Sequence, residues 1–311
     1  MVKPDLVHYG GDYVFVGEEI VQDRGACIPT TSHEFAPPNG RLFAFDMGTS
    51  YAAAAVSNLA ARLFARFPGA TSNLIRALLA DSSALPEILP AALDGPECDE
   101  TLRMYGYGRP DLERAAFSSQ DRVLLLSESE MPVNGFHLFE VPPLPAGFLN
   151  SQADRRLTVT LAFDPPTRHT RGDSYLGVTM GYDLFRNTPL NDVEPIFRDW
   201  RLDPPGDGED ELRTSLGSLK SRQRVHLYPG SQIREKGTLQ KGTERIGGRR
   251  WAYDDGPLLL AVHCSSKWAP PEVESQRYAV IVSISHSDPN IRLWDHVRSH
   301  ARVMSRVRVR V

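Results

Sequence analysis

The amino-acid order predicts an α/β segment followed by an all-β segment, and three observations carry that expectation. The run Tyr51-Ala-Ala-Ala-Ala-Val-Ser-Asn-Leu-Ala-Ala-Arg-Leu-Phe-Ala-Arg-Phe67 places Val56, Leu59, Leu63 and Phe67 at helical spacing, with Ala60 and Phe64 on the same stripe. From about residue 150 the period changes to two, and Leu157-Thr-Val-Thr-Leu-Ala-Phe163 puts Leu157, Val159, Leu161 and Phe163 on one face. A chain of 311 residues, 41% hydrophobic and 24% charged, also has the length of two ordinary globular domains.

Short apolar stretches such as Tyr13-Val-Phe-Val16 open the chain, broken by Gly, Pro and Ser, and read as loops around one or two strands. Leu42-Phe-Ala-Phe45 is a further strand candidate that stops at Asp46. The alanine-rich helix ends at Pro68-Gly69. A second helix is expected from about Ser72, with Leu74, Ile75, Leu78 and Leu79 on one face and Thr71 or Ser72 as its cap, stopping before Pro86. Tyr105-Gly-Tyr-Gly108 reads as a turn, and Pro110 opens a short amphipathic segment from Asp111 to Ala116. These elements set a first domain at residues 1–117, with 118–149 as a linker.

Beyond the linker, strands are expected within Ser174–Phe185, Arg222–Tyr228, Pro257–Ser265 and Arg277–His286, and in the strictly alternating Val307–Val311. With no convincing helix between them, these strands predict an antiparallel β-sandwich over residues 150–311. The acidic stretch 203–211 and the basic stretch Lys220–Arg250 read as long loops.

Bulk properties narrow the function classes. A formal net charge of −4 argues against nucleic acid or an anionic membrane as partner, because both call for a strongly basic surface. Cys27, Cys98 and Cys264 are odd in number and far apart, which fits free thiols in a reducing compartment. Met-Val-Lys-Pro-Asp-Leu has no apolar signal core and no apolar run is long enough to span a bilayer, so a cytoplasmic protein is expected.

The chemistry centres on Gly48-Thr-Ser50, where a strand turns into the alanine-rich helix. A serine at a helix N-terminus has free backbone amides and the positive end of the macrodipole beside its oxygen, so developing negative charge is favoured there. Gly-Thr-Ser alone is often no more than a helix cap. Here, however, Lys3-Pro-Asp-Leu-Val-His-Tyr-Gly-Gly11 precedes Gly48-Thr-Ser-Tyr-Ala-Ala-Ala-Ala55, and Tyr105-Gly-Tyr-Gly-Arg-Pro-Asp111 follows. In this order the three segments, within residues 1–117, resemble the subtilisin-like serine proteases, or subtilases. The resemblance implies that residues 1–117 are the C-terminal portion of a parallel-sheet domain, that Ser50 is the catalytic nucleophile, and that the substrate is a protein or peptide. It departs from the family where His8-Tyr-Gly10 replaces Ala-Pro-Gly and where Ala54 stands in a position often held by Pro. Some subtilases paired with an ATPase share the Tyr-Gly-Gly form and a C-terminal β-domain, which suggests an ATPase partner.

Subtilases use an aspartate and a histidine upstream of the serine, with an asparagine in the oxyanion hole. No Asp-Thr/Ser-Gly or His-Gly-Thr motif lies between Met1 and Ser50, so the resemblance implies a fragment that is inactive alone. His8, His33 and Asn39 are the local substitutes to weigh, and each reads as a loop or turn residue. Elsewhere, neighbours such as His263 and Cys264 point to opposite faces of a strand, which argues against a catalytic pair. His296 and His300 share a helix spacing but lack an evident third metal ligand, and the 203–211 loop fits no EF-hand. Arg171-Gly-Asp173 is too short to carry weight, and Arg306, Arg308 and Arg310 read as the solvent face of an edge strand. No cofactor or metal is expected. Two readings follow: a serine endopeptidase fragment, or a non-catalytic partner-binding β-sandwich with a relic protease segment.

Overall fold

The computed structural model describes residues 1–36, 38, 40–93, 95–170, 175–202, 223–246 and 258–300. Two small antiparallel ladders come first: β1 (Val14–Val16) with β2 (Glu19–Val21), and β3 (Ile28–Thr31) with β4 (Phe43–Asp46). β4 runs directly into α1 (Thr49–Arg66), followed by α2 (Ser72–Ser82), α3 (Asp99–Tyr105) and α4 (Leu112–Ala116). The Thr71 side chain caps α2 by accepting from Leu74 N, and Asp111 caps α4 by accepting from Arg114 N at 2.8 Å.

The rest of the chain builds two antiparallel sheets. One has four strands in the order β5 (Arg122–Pro132), β11 (Ser275–His286), β7 (Arg155–Phe163), β9 (Leu239–Arg245). The other has three, in the order β6 (Phe136–Val141), β10 (Leu258–Ser266), β8 (Val178–Arg186). Leu157, Val159, Leu161 and Phe163 of β7 meet Met180, Tyr182 and Leu184 of β8 and Leu258, Leu260 and Val262 of β10 in one shared core. Burial of each such aliphatic side chain contributes roughly 1.5–3 kcal/mol.

The opposite face of the four-stranded sheet receives α2. Ala162, Leu239, Ala279 and Ile281 from three strands pack with Leu74, Ile75, Leu78 and Leu79 of the helix. Asp81, near the helix end, is fully buried and pairs with Arg122 of β5. Its other oxygen accepts from Thr160 of β7 at 3.2 Å and Ser283 of β11 at 2.9 Å. Thus one carboxylate ties the helix to three strands, with its lone pairs satisfied as burial requires.

Several expectations are corrected. Residues 118–149, read as a linker, carry β5 and β6, which are strands of both sheets. Ser127-Glu-Ser-Glu130 conceals β5, because an edge strand tolerates polar residues on its open side. Helices also occur among the strands: α5 (Ala146–Asn150), α6 (Leu190–Leu202), α7 (Ser231–Arg234) and α8 (Leu293–His300). α6 was hidden by Pro195, yet its Val193, Phe197 and Trp200 cover the outer face of β8 and β10. β9 falls inside the expected Lys220–Arg250 loop, whereas Arg224 and Tyr228 form isolated bridges rather than a strand. Every described ladder is antiparallel, so residues 1–117 do not form a parallel sheet among the described residues. Asn39, Arg171-Gly-Asp173, the 203–211 loop and the arginines at 306, 308 and 310 lie outside the described residues.

Candidate functional site

The structure joins the three sequence segments around the start of α1. Tyr107 N donates to Asp5 O at 2.9 Å and Val7 N donates to Gly108 O at 3.1 Å, pairing the first segment with the third. Gly106 adopts φ +56, and a Cβ there would sit 2.0 Å from Pro4 O, so only glycine admits this approach. Farther along, Gly48 N donates to Gly10 O at 2.7 Å, pairing the first segment with the second. A Cβ on Gly10 would lie 2.7 Å from Gly48 O, so this contact also excludes a side chain. Glycines of the first and third segments therefore serve close backbone approach.

Ser50 is the second residue of α1 and is exposed. Gly48 caps the helix without any side-chain hydrogen bond, so the amides of the first turn lack a capping side chain. Among the described residues the Ser50 hydroxyl has no hydrogen-bond partner, and no base is in contact with it. Nearby, Asp46 accepts from Met47 N and from the Tyr51 hydroxyl, both at 2.8 Å. These bonds, the Tyr51 one foremost, hold its carboxyl below the usual range, while the Asp46 charge raises the Tyr51 phenol. Both Asp46 oxygens are thereby used close in sequence to Ser50.

His8 is half-buried and accepts from Tyr9 N at 2.9 Å, whereas His33 is exposed beside Glu34 at 4.0 Å. Neither histidine is hydrogen-bonded to Ser50. Large apolar side chains are open in this part of the chain: Phe15 is 75% exposed, Phe43 64% and Phe64, on α1 itself, 41%. In α1 only Leu63 is fully buried, and Val56, Leu59, Ala60 and Phe67 are half-covered.

The remaining candidates separate. Cys264 faces the core shared by the two sheets, where burial pushes its thiol up to about 12. His263 lies on the opposite face, against Phe197 and Trp200 of α6 and 3.9 Å from Asp183. All three cysteines are free. His296 Nε2 lies 3.0 Å from Pro143 O, and no metal-binding group of side chains occurs among the described residues. No described helix is long and apolar enough to cross a membrane. Sequence reasoning missed a cavity of about 470 Å³ between α2, α3 and the four-stranded sheet. Its lining comes from segments far apart in the chain, so no local motif marks it.

Comparison with known proteins places these contacts in a family. The sequence model of the subtilase family matches residues 1–108, a stretch that contains the first two segments and Tyr105–Gly108 of the third. A Sinorhizobium fredii (strain NBRC 101917 / NGR234) protein named "Uncharacterized protein y4bN" is 35% identical over 307 residues, covering 96% of this chain and 67% of that protein. The chain belongs to the subtilase family. Because the similarity to the Sinorhizobium protein extends through the β-rich residues, that half is shared as well as the segment that carries Ser50.

Proposed function

We propose that this chain is part of a subtilisin-like serine endopeptidase that cleaves peptide bonds through an acyl-enzyme on Ser50. The supporting observation is the exposed Ser50 in the first turn of α1, at the meeting point of the three family segments. In this reading the Ser50 oxygen attacks the scissile carbonyl, and the first-turn amides offer part of the oxyanion stabilisation. The histidine that takes the serine proton, the aspartate that orients it and the oxyanion asparagine come from outside residues 1–311. The exposed apolar surface carrying Phe15, Phe43 and Phe64 is where that additional part of the domain packs.

The two antiparallel sheets are, in this reading, a β-sandwich that recognises substrate or a partner such as an ATPase. The free cysteines support a reducing compartment. A fluorophosphonate probe tests the nucleophile. The 311-residue chain alone should remain unlabelled, because an unassisted serine hydroxyl is a weak nucleophile. Fusion to the part of the Sinorhizobium protein outside the match should produce labelling that Ser50→Ala abolishes. Stoichiometric labelling of the chain alone would overturn the expected inactivity. No labelling in either form would instead support the partner-binding module with a relic nucleophile.

A further inference from the structure

The face that the four-stranded sheet turns toward α2 changes character along its strands. Under the helix it is apolar, but beyond the helix end it becomes a polar floor. Register places Ser283, Thr158 and Thr243 in one cross-strand row, and Ser285, Arg156 and Arg245 in the next. Both rows line the cavity of about 470 Å³, whose other side is the chain after α2 together with α3 and α4.

Its charges are arranged against stability. Arg156 and Arg245 stand directly opposite each other on neighbouring strands, where like charges repel. Arg156 has Asp154 at 2.6 Å, but the Arg245 guanidinium has no partner among the described residues. Arg114 of α4 also lines the cavity with an unpaired guanidinium among the described residues. Lys241 adds a third strand-borne cation, its ammonium held by Ala80 O at 2.9 Å and Ser83 O at 2.7 Å. Of the lining carboxylates, Asp81 is committed to Arg122, while Glu87 and Glu97 occupy exposed positions, as do Arg114, Arg156 and Arg245. Tyr228 lines the same cavity, and its solvent-shielded hydroxyl has no hydrogen-bond partner among the described residues. Arg156 is matched by Asp154, so the unmatched charge on the floor is that of Arg245, and a bound oxyanion would match it.

We propose that this cavity binds a small ligand bearing an oxyanion, a carboxylate or a phosphate, received by Arg245, Arg156 and Arg114, with its body against Leu85, Leu89 and Leu102. The assignment is independent of catalysis at Ser50.

Thermal unfolding and calorimetry of the full chain at low ionic strength test it, with inorganic phosphate, N-acetyl-leucine, and N-acetyl-leucine amide as the neutral control. Sodium chloride at matched ionic strength corrects for screening. One or both oxyanions should raise Tm by about 2 °C or more at saturating concentration, and the amide should not. A response to phosphate alone assigns a phosphate ligand, and a response to the acid alone assigns an apolar carboxylate. Arg245→Gln should weaken binding by about tenfold or more, since a charge-assisted contact is lost. The same substitution should leave the Tm of the free protein unchanged or raised, because it relieves the cross-strand repulsion. The proposal falls if neither oxyanion acts beyond matched chloride, if Arg245→Gln binds as well as the parent chain, or if it lowers the free protein's Tm.

Discussion

Buried charge dominates the energetics at the scale of single residues. Asp81 and Arg122 have side chains 1% and 4% exposed, and the aspartate also accepts from Thr160 and Ser283. Removing one partner leaves an uncompensated buried ion, so Asp81→Leu should cost about 3–5 kcal/mol, read as a lowered urea midpoint. Lys241 gives a pH signature. Burial, its largest influence, lowers the amine from 10.5 to about 8. A lowered folded-state value means that the unfolded chain binds more protons between those limits, so stability must rise with pH across that window. The contribution is fully present above 10.5 and is lost as pH falls through about 8. Urea midpoints measured across the window should climb in the parent chain and lose that climb in Lys241→Met. The family was legible in the sequence because Gly48-Thr-Ser50 has two flanking segments in a fixed order. The Asp81 network was not, since its hydroxyl partners lie 79 and 202 residues away.

Where periodicity is strong, elements follow the sequence. α2 buries the face expected of it, Leu74, Ile75, Leu78 and Leu79, under the Thr71 cap. Leu78→Ala should therefore cost about 2–5 kcal/mol in equilibrium unfolding, with Phe64→Ser as a near-neutral contrast on half-exposed α1. β7 likewise turns its four alternating apolar residues to the core. β9 escaped because Gln240 and Lys241 bury polar groups that hydrogen-bond to backbone carbonyls, which blurs the alternation. α6 escaped because a proline within a helix argues against it locally, while Phe197 and Trp200 gain more from covering the sheet.

For the molecule as a whole, the boundary between the segment bearing Ser50 and the β-rich segment is a packed core. α2 belongs to the first by sequence and to the four-stranded sheet by contact. Far-ultraviolet dichroism, which follows the helices, and fluorescence of the four tryptophans should consequently report one coincident unfolding transition. A chain beginning at residue 118 would expose Ala162, Leu239, Ala279 and Ile281 and leave Arg122 unpaired, so it should elute as aggregate in size-exclusion chromatography. Separate transitions, or a monomeric truncated chain, would contradict this coupling.

The same seat has a consequence during synthesis. Ser283 is made 202 residues after Asp81, which at ~5–20 residues per second leaves α2 without its complete sheet for roughly 10–40 s. Until β7, β9 and β11 have all emerged, the docking site of this helix is incomplete, and its apolar face is open to ribosome-associated chaperones. Translation order alone therefore delays completion of the α2 seat until β11 has emerged.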